Sequence, residues 1–130
     1  MDCNILGISG SPVKNGNVEA LLDYMLESVG GKSGVSTTAV HLSRLDIGGC
    51  VHCNFCVRKQ EQGKYCALED DAQSVYEKME AADVVVLATP VYFMRTSGHM
   101  ANLLDRCRVF VFGNLKRGAM KNKVGVSAAV

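Results

Sequence analysis

Apolar residues in this chain follow two alternating spacings, and this alternation limits the possible folds more than any other feature. Continuous apolar runs at residues 5–8 and 84–88 predict buried strands. One-face apolar spacing over residues 18–29 and 72–82 predicts amphipathic helices. Strands that alternate with helices of this length form a parallel sheet with right-handed crossovers and helices on both faces. We therefore expect an α/β fold with a doubly wound parallel sheet.

Three further segments complete this pattern. Residues 35–42 predict a second strand, whose serine and threonine content is typical of a sheet edge. A third helix is predicted over residues 96–110, and residues 124–130 predict a fourth strand. The result is a three-layer α/β/α sandwich in a single domain, residues 1–130. Because no helix follows the fourth strand to cover it, we expect the sequence to be truncated before the last strand and helix of the fold.

Charge and apolar length exclude several classes of protein. Fourteen basic residues against 13 acidic residues give a net charge of +1, which offers no electrostatic footprint for nucleic acid. The longest strongly apolar run, residues 84–88, is far too short to cross a bilayer, and the N-terminus enters a strand directly. We expect a cytoplasmic protein with small molecules as partners, and neither nucleic acid nor membrane.

Four of the six cysteines lie in one segment, between the second predicted strand and the second predicted helix. Two-residue intervals let a tight loop direct three thiolates to one centre, and a fourth thiolate further along closes the site. Bacterial-type iron-sulfur clusters use this arrangement for their first three ligands. The spacing therefore predicts a cluster held by a loop of residues 48–69. The expected ligands are Cys50, Cys53, Cys56 and Cys66.

Other uses of these cysteines stay open at this stage. A single zinc ion is usually bound by two separated Cys-x2-Cys pairs, whereas here Cys53 would belong to two overlapping pairs. Disulfides are disfavoured in a reducing compartment. The thiols also fit a redox-active pair without metal, or small loop residues. Cys3 and Cys107 fall on a predicted strand and on the apolar face of a predicted helix, where free cysteine packs as a small hydrophobe.

Small and polar residues join the first predicted strand to the first helix, over residues 7–17. Glycines let the backbone turn tightly, and the following helix offers free N–H groups and the positive end of its dipole. Asn15 or Asn17 is expected to cap that helix. The segment is not a Walker loop, because Gly16 is followed by Asn17, and it is not a Gly-x-Gly-x-x-Gly fingerprint. It predicts a mononucleotide phosphate site, although the same residues also build an ordinary turn and cap.

Four short motifs follow one another in an order and spacing that are specific together, although each is weak alone. They are Gly10-Ser11-Pro12, Cys66-x3-Asp70-Asp71, Thr89-Pro90-Val91-Tyr92 and Asp105-Arg106. With them, the chain resembles the NADPH-dependent FMN reductase family over essentially its whole length. Within this flavodoxin-like family, it is most similar to the iron-sulfur flavoprotein branch.

The resemblance implies a flavodoxin-like fold, FMN, a 4Fe-4S cluster on the four cysteines, NAD(P)H as co-substrate, and a homodimer or homotetramer. The first loop would hold the FMN phosphate through Ser9, Ser11, Pro12, Lys14, Asn15, Gly16, Asn17 and Val18. The segment after the third strand would lie along the isoalloxazine ring through Pro90, Val91, Tyr92 and Phe93, with Ser97 and Gly98 at the border of the cleft. Tyr92 and Phe93 also fit ordinary packing at a strand end.

The sequence departs from the family pattern at three points. Val13 stands where an arginine is common, so Lys14 is expected to supply the positive charge. Ala101 stands where a lysine is common, one turn before the Asp-Arg pair. The interval from Cys56 to Cys66 is longer than in cluster-bearing relatives, which bears on the cluster more than on the flavin.

Charged side chains near these motifs have several interpretations. Arg58, Lys59 and Lys64 flank the thiolates and would offset the negative charge of a cluster, or they form a solvated loop surface. Arg95 is the candidate for stabilising reduced flavin near N1 and O2, or for meeting a nicotinamide phosphate. No side chain stands out as an acid-base catalyst. The histidines are expected in the cysteine loop, on a sheet edge and in a first helical turn, at His52, His41 and His99.

Together these features predict an FMN-dependent oxidoreductase or electron-transfer flavoprotein. It would pass electrons from a reduced nicotinamide or ferredoxin, through FMN and the cluster, to a small acceptor. The alternatives are a cluster-free NAD(P)H:FMN reductase, a non-enzymatic flavodoxin-like electron carrier, and a metal-stabilised binding module without flavin.

Overall fold

Strands and helices alternate along the chain in the structure, a computed structural model that describes residues 1–130. The strands are β1 (Cys3–Ser9), β2 (Val35–His41), β3 (Val84–Thr89), β4 (Val91–Tyr92), β5 (Arg95–Thr96) and β6 (Val124–Ala129). The helices are α1 (Asn17–Gly30), α2 (Phe55–Arg58), α3 (Ala72–Ala81), α4 (Gly98–Arg106) and α5 (Arg108–Val111). One turn of 3-10 helix at Leu42–Arg44 follows β2.

Four of the strands pair in one parallel sheet, in the order β2-β1-β3-β6. β2 lies at an edge, as its composition predicts, and β1 and β3 lie in the middle. The chain leaves β1 for β2 on one side and then returns to β3 on the other side. The strand order therefore switches direction between β1 and β3. In open α/β sheets, ligands bind at such a switch point, beyond the carboxyl ends of the strands.

Helices cover both faces of the sheet, which confirms the prediction of three layers. On one face α1 packs on β3, and Leu22 and Val86 belong to one buried apolar cluster there. On the other face α3, α4 and α5 pack over Leu6 and its neighbours. Cys56 and Tyr65 of the cysteine-bearing segment belong to this second core. That segment is therefore part of a packed layer.

The prediction of one continuous helix over residues 96–110 is wrong. α4 and α5 are separate helices that meet at Cys107. The break brings Phe110 into the core, where its ring meets the rings of Tyr65 and Tyr76 edge-on. Aromatic pairs in this arrangement contribute about 0.5 to 1.5 kcal/mol beyond the area that they bury. The same break sets the direction of the arginines on either side of it.

The helices are short. α1 is the longest with 14 residues, and α2 and α5 are single turns of four residues. No helix has both the length and the apolar composition that crossing a bilayer requires.

Candidate functional site

Two loops meet at the switch point between β1 and β3. They are the phosphate loop (residues 10–16) and the β3 loop (residues 90–97). The amide of Gly10, directly after β1, donates to the carbonyl oxygen of Ala88 (2.8 Å). Ser97 Oγ donates to the carbonyl oxygen of Gly10 (2.5 Å). The two predicted flavin-binding segments are therefore in direct contact.

Ser97 holds this junction together. Its hydroxyl oxygen accepts the amide proton of Met100 (3.1 Å) and so caps α4. Its own amide donates to Oγ1 of Thr89 (3.1 Å). The Ser97 side chain is only 1% exposed, so it shapes the border of the cleft from inside. Gly10 fits here because a Cβ at this position would lie 2.7 Å from the Cβ of Met100.

Two buried serines fold the phosphate loop. Ser9 Oγ accepts the amide proton of Ser11 (3.3 Å), and Ser11 Oγ accepts the amide proton of Val13 (3.1 Å). Each hydroxyl keeps its own proton for donation. The residues that follow, from Pro12 to Asn15, are exposed. The loop thus has an ordered inner wall and a solvent-facing rim.

The start of α1 opens directly onto this loop. Gly16 precedes the helix in an extended conformation, and no side chain caps the helix. The prediction that Asn15 or Asn17 provides a cap is wrong, because Asn17 is already helical and Asn15 adopts a left-handed φ of 56°. The first N–H groups of a helix have no intrahelical acceptor. Those of Asn17 and Val18 are therefore available to an anion, which the helix dipole also attracts.

The buried carboxylate of Glu19 holds the phosphate loop in place. This residue was not identified from the sequence. Its side chain is 3% exposed. Its carboxylate accepts the amide proton of Asn15 (2.8 Å) and bonds from both terminal nitrogens of Arg44 (2.8 and 3.1 Å). Burial alone would raise the pKa of Glu19, but the bonds from Arg44 and Asn15 bring that pKa below its ordinary value. The left-handed turn at Asn15 is held by this carboxylate.

Arg44 places a fixed positive charge beside the loop. Its Nη2 donates to Oδ1 of Asn15 (3.3 Å), in addition to its ion pair with Glu19. Lys14, which we expected to supply this charge, is an exposed side chain. Arg44 was missed because it lies in the turn after β2, and only the parallel sheet brings that turn next to the phosphate loop.

The β3 loop contains a hairpin that the sequence did not predict. β4 and β5 pair in antiparallel fashion, with Val91 opposite Thr96 and Tyr92 opposite Arg95. Phe93 and Met94 form the two-residue turn, with φ values of 45° and 64°. They are 97% and 95% exposed, and Tyr92 is 45% exposed. The aromatic side chains predicted to face a flavin ring are thus free to contact a ligand.

All four cysteines of the predicted cluster line one small open pocket with a volume of about 20 Å³, which we call the cysteine pocket. Cys56 is buried, Cys66 is partly buried, and Cys50 and Cys53 are exposed. Burial raises the pKa of the Cys56 thiol, and the nearby Arg108 guanidinium acts in the opposite direction. No three or more histidine, cysteine and carboxylate side chains are placed to hold a single metal ion.

Two arginines from the α4–α5 break complete the lining of the cysteine pocket. Arg106 and Arg108 both contribute to its wall. Nε and Nη2 of Arg106 and Nε of Arg108 are buried without a hydrogen-bond partner. Buried donors without an acceptor are rare and costly. The pocket therefore presents unused donors from two cations next to four thiols, which suits an anionic group with several acceptor atoms.

The segment that carries the cysteines is closed at its base by hydrogen bonds, a region we call the neck. Nη1 of Arg106 pairs with Oδ2 of Asp70 (2.5 Å) and donates to the carbonyl oxygen of Gly48 (3.2 Å). The amide of Gly48 also donates to Asp70 (3.1 Å). Asp46 and Asp71 exchange two further bonds beside it. The predicted loop of residues 48–69 thus begins and ends at one fixed point.

The basic residues within the cysteine segment do not line the pocket wall. Arg58 and Lys59 are exposed, and Lys64 pairs with the exposed Glu69 (3.2 Å). His52 is exposed, and its Nδ1 lies 2.9 Å from Nη1 of Arg108. The alternative interpretation, a solvated loop surface, is the one that the structure favours for these side chains.

The strand order and the two loops at the switch point define a flavodoxin-like α/β protein. The family model for NADPH-dependent FMN reductase matches residues 3–130. The chain belongs to that family.

Curated relatives agree with this assignment. An iron-sulfur flavoprotein of Methanosarcina thermophila is 38% identical over 126 residues, which are 97% of this chain and 62% of that protein. One from Methanocaldococcus jannaschii is 36% identical over 129 residues, 97% of this chain and 60% of that protein. The chain thus spans about 60% of the length of these relatives.

Among solved structures, RosB with a bound flavin-derived intermediate superposes with a TM-score of 0.71 at 19% identity, over 98% of this chain and 51% of that one. The apo form of an NADH:FMN oxidoreductase gives a TM-score of 0.65 at 22% identity, over 98% of this chain and 58% of that one. These likenesses support the flavodoxin-like fold.

Proposed function

We propose that this chain carries the FMN site of an oxidoreductase that passes electrons from a reduced nicotinamide or ferredoxin, through FMN and an iron-sulfur cluster, to a small acceptor. The observation that carries the proposal is the hydrogen bond between Ser97 and Gly10. It joins a donor-rich phosphate loop to a loop with exposed aromatic rings, as a ligand with a phosphate and a flat ring requires. Membership of a family named for FMN reduction supports the cofactor.

For the FMN phosphate we propose the rim of the phosphate loop and the uncapped start of α1. Backbone N–H groups at a helix N-terminus bind phosphate well, because they are unpaired and the dipole favours negative charge. Ser9 and Ser11 support the rim from inside, and Arg44 adds positive charge. The contacting groups we propose are those of Pro12, Lys14, Asn15, Gly16, Asn17 and Val18.

For the isoalloxazine ring we propose the β3 loop. The exposed rings of Tyr92 and Phe93 would limit solvent access to the flavin. The backbone of Pro90 and Val91 lies beside the switch point, and the exposed Gly98 permits close approach. Arg95 is exposed, with only a long contact of 3.5 Å to the carbonyl oxygen of Thr96. Its positive charge is available to interact with reduced flavin or with a nicotinamide phosphate.

For the cluster we propose the cysteine pocket. Four thiols and two cations share one cavity, and the unpaired arginine donors fit an anionic group that carries acceptor sulfurs. A zinc ion needs every sulfur about 2.3 Å from one metal, whereas a cluster distributes its ligands over separate irons. Since no three of these side chains are placed to hold one metal ion, the pocket favours a cluster over zinc. Free thiols also favour a reducing compartment such as the cytoplasm.

When bound, FMN would accept a hydride and release electrons singly, and a cluster would carry single electrons. The chain itself would supply position and charge. The phosphate loop anchors one end of the ligand, the β3 loop orients the ring and excludes water, and the arginines balance negative charge.

A cluster-free FMN reductase is the second candidate. It is favoured by the exposure of Cys50 and Cys53, which are not held in a ready-made ligand set. Both candidates share the FMN site and differ only in the cysteine pocket.

The test is a combined assay of the full chain purified without oxygen. We expect about one FMN, with iron and acid-labile sulfide in equal amounts near four per chain, and oxidation of NADH or NADPH. Cys53→Ser should lose iron and sulfide but keep FMN, because Cys53 is exposed and its loss leaves the core intact. Cys3→Ser is the matched control and should keep both. Protein without flavin would refute the proposal, and flavin without iron would establish the second candidate.

A further inference from the structure

Arg106 is the most deeply buried charged side chain of the cysteine pocket, with 2% of its surface exposed. Only one of its three nitrogens, Nη1, has partners. Nε and Nη2 are buried and have no oxygen or nitrogen acceptor, and the thiol of Cys66 is the pocket side chain that reaches the guanidinium. A folded protein rarely leaves two donors of one cation unused, because water satisfied both in the unfolded chain.

The partners of Nη1 fix the direction of the whole side chain. Asp70 and Gly48 hold that nitrogen at the neck. The guanidinium is planar and rigid, so the two acceptors on Nη1 define the plane in which Nε and Nη2 lie. Tyr76 lies against it, with the guanidinium carbon 6.0 Å from the ring centroid. Arg106 is thus oriented before any ligand arrives, and it shares the pocket wall with Cys66.

We propose that Arg106 donates hydrogen bonds from Nε and Nη2 to sulfur atoms of the cluster and thereby raises its reduction potential. This inference rests on the proposed function, because it requires a cluster in the cysteine pocket. Reduction adds one electron, from reduced flavin or from an added reductant, and no bond or proton is exchanged. The added negative charge strengthens bonds from a cation, so the donors stabilise the reduced form more than the oxidised form.

A purely structural role for Arg106 predicts something different. If Arg106 only closes the neck, then its ion pair with Asp70 is what matters, and loss of either partner should have the same effect. If Arg106 acts on the cluster, the two partners have opposite effects. Arg106→Gln removes positive charge and donors from the pocket, whereas Asp70→Asn leaves the positive charge of Arg106 uncompensated.

The experiment is a redox titration of the anaerobic holoprotein, with the cluster followed by electron paramagnetic resonance. We expect Arg106→Gln to lower the midpoint potential by about 59 mV or more, which is a tenfold change in the ratio of reduced to oxidised cluster for one electron. Asp70→Asn should raise it. Arg58→Gln is the control with the same charge change, and it should shift the potential much less because Arg58 is exposed and its charge is screened by solvent.

Each outcome decides the inference. An unchanged potential in Arg106→Gln, shifts of the same sign in both variants, or loss of the cluster from both variants would overturn it. If Arg106→Gln loses the cluster and Asp70→Asn keeps it, the potential of the Arg106→Lys variant tests the inference. A retained cluster with a lowered midpoint potential supports the inference. A retained cluster with an unchanged potential overturns it. A wild-type protein that binds FMN but takes up no iron and sulfide would remove the cluster from the proposed function, and the inference with it.

Discussion

Among single residues, Glu19 does most to shape the phosphate loop. An acidic residue in a first helical turn is ordinary, because the helix dipole favours it. What makes Glu19 special is its burial beneath Asn15 and its ion pair with Arg44. Both depend on how the turn after β2 packs against α1, which local sequence does not specify. This is why the sequence predicts the loop but not the carboxylate that holds it.

Replacing Glu19 by Gln is expected to destabilise the protein near neutral pH by about 1 to 3 kcal/mol, the usual cost of losing bonds to a buried charged group. The pKa of Glu19 lies below its ordinary value of 4.5. Its contribution to stability is therefore complete above pH 4.5 and is lost as the pH falls through the lower pKa of the folded state. Urea denaturation at a series of pH values measures this loss.

The control for this prediction is Glu27→Gln, an exposed position on the same helix. It should change stability by less than about 0.5 kcal/mol at any pH. The difference in free energy of unfolding between wild type and Glu19→Gln should become smaller in acid. If this difference is absent at pH 7, or keeps the same size in acid, the role assigned to Glu19 is contradicted.

Among the elements, the β4–β5 hairpin has the least favourable sequence for its shape. A two-residue turn with positive φ at both positions prefers Asn-Gly. Here Phe93 and Met94 occupy it, and both are almost fully exposed, so packing does not compensate for the strain. The proposed contact of Phe93 with a flavin ring gives a reason for an aromatic side chain at the tip.

The variant Phe93→Asn with Met94→Gly should relax this turn. We expect the free protein to gain about 1 to 2 kcal/mol of stability, while FMN binding weakens several-fold because an aromatic contact is lost. Thermal unfolding and FMN titration of the same sample measure both effects. Met94→Gly alone is the matched control, and it should gain stability while keeping FMN affinity. A double variant that binds FMN as tightly as wild type would show that the tip does not touch the ring.

The long elements followed from the sequence, and the short ones did not. Residue patterns predicted the four strands of the main sheet and helices α1 and α3. Burial of a continuous face determines β1, β3, α1 and α3. The hairpin was missed because Phe93-Met94 carries no turn signal. The break at Cys107 was missed because the same apolar stripe continues through it. The direction of α5 after the break depends on the packing of Phe110 against two other aromatic rings, which the stripe does not reveal.

At the scale of the whole molecule, α4 connects the two candidate sites. Ser97 caps its start at the flavin loops, and Arg106 ends it at the cysteine pocket. With a rise of 1.5 Å per residue, these residues lie roughly 13 Å apart along the helix. The parallel sheet predicted that the loops after β1 and β3 meet. It did not predict that arginines from the α4–α5 break would line the pocket in place of the basic residues beside the cysteines.

The central claim is that the phosphate loop seats the phosphate of a flavin nucleotide. Riboflavin has the same ring as FMN and lacks the phosphate, so the two ligands differ only in the group that this loop would bind. Asn17→Glu places a negative charge at the first turn of α1 and should remove any preference for the phosphate.

The most direct measurement is the affinity of the flavin-free protein for FMN and for riboflavin, followed by quenching of flavin fluorescence. We expect wild type to bind FMN at least about tenfold more tightly, equivalent to about 1.4 kcal/mol, and Asn17→Glu to bind the two ligands alike. Equal affinity of the wild type for both ligands, or an undiminished preference in Asn17→Glu, would contradict the account.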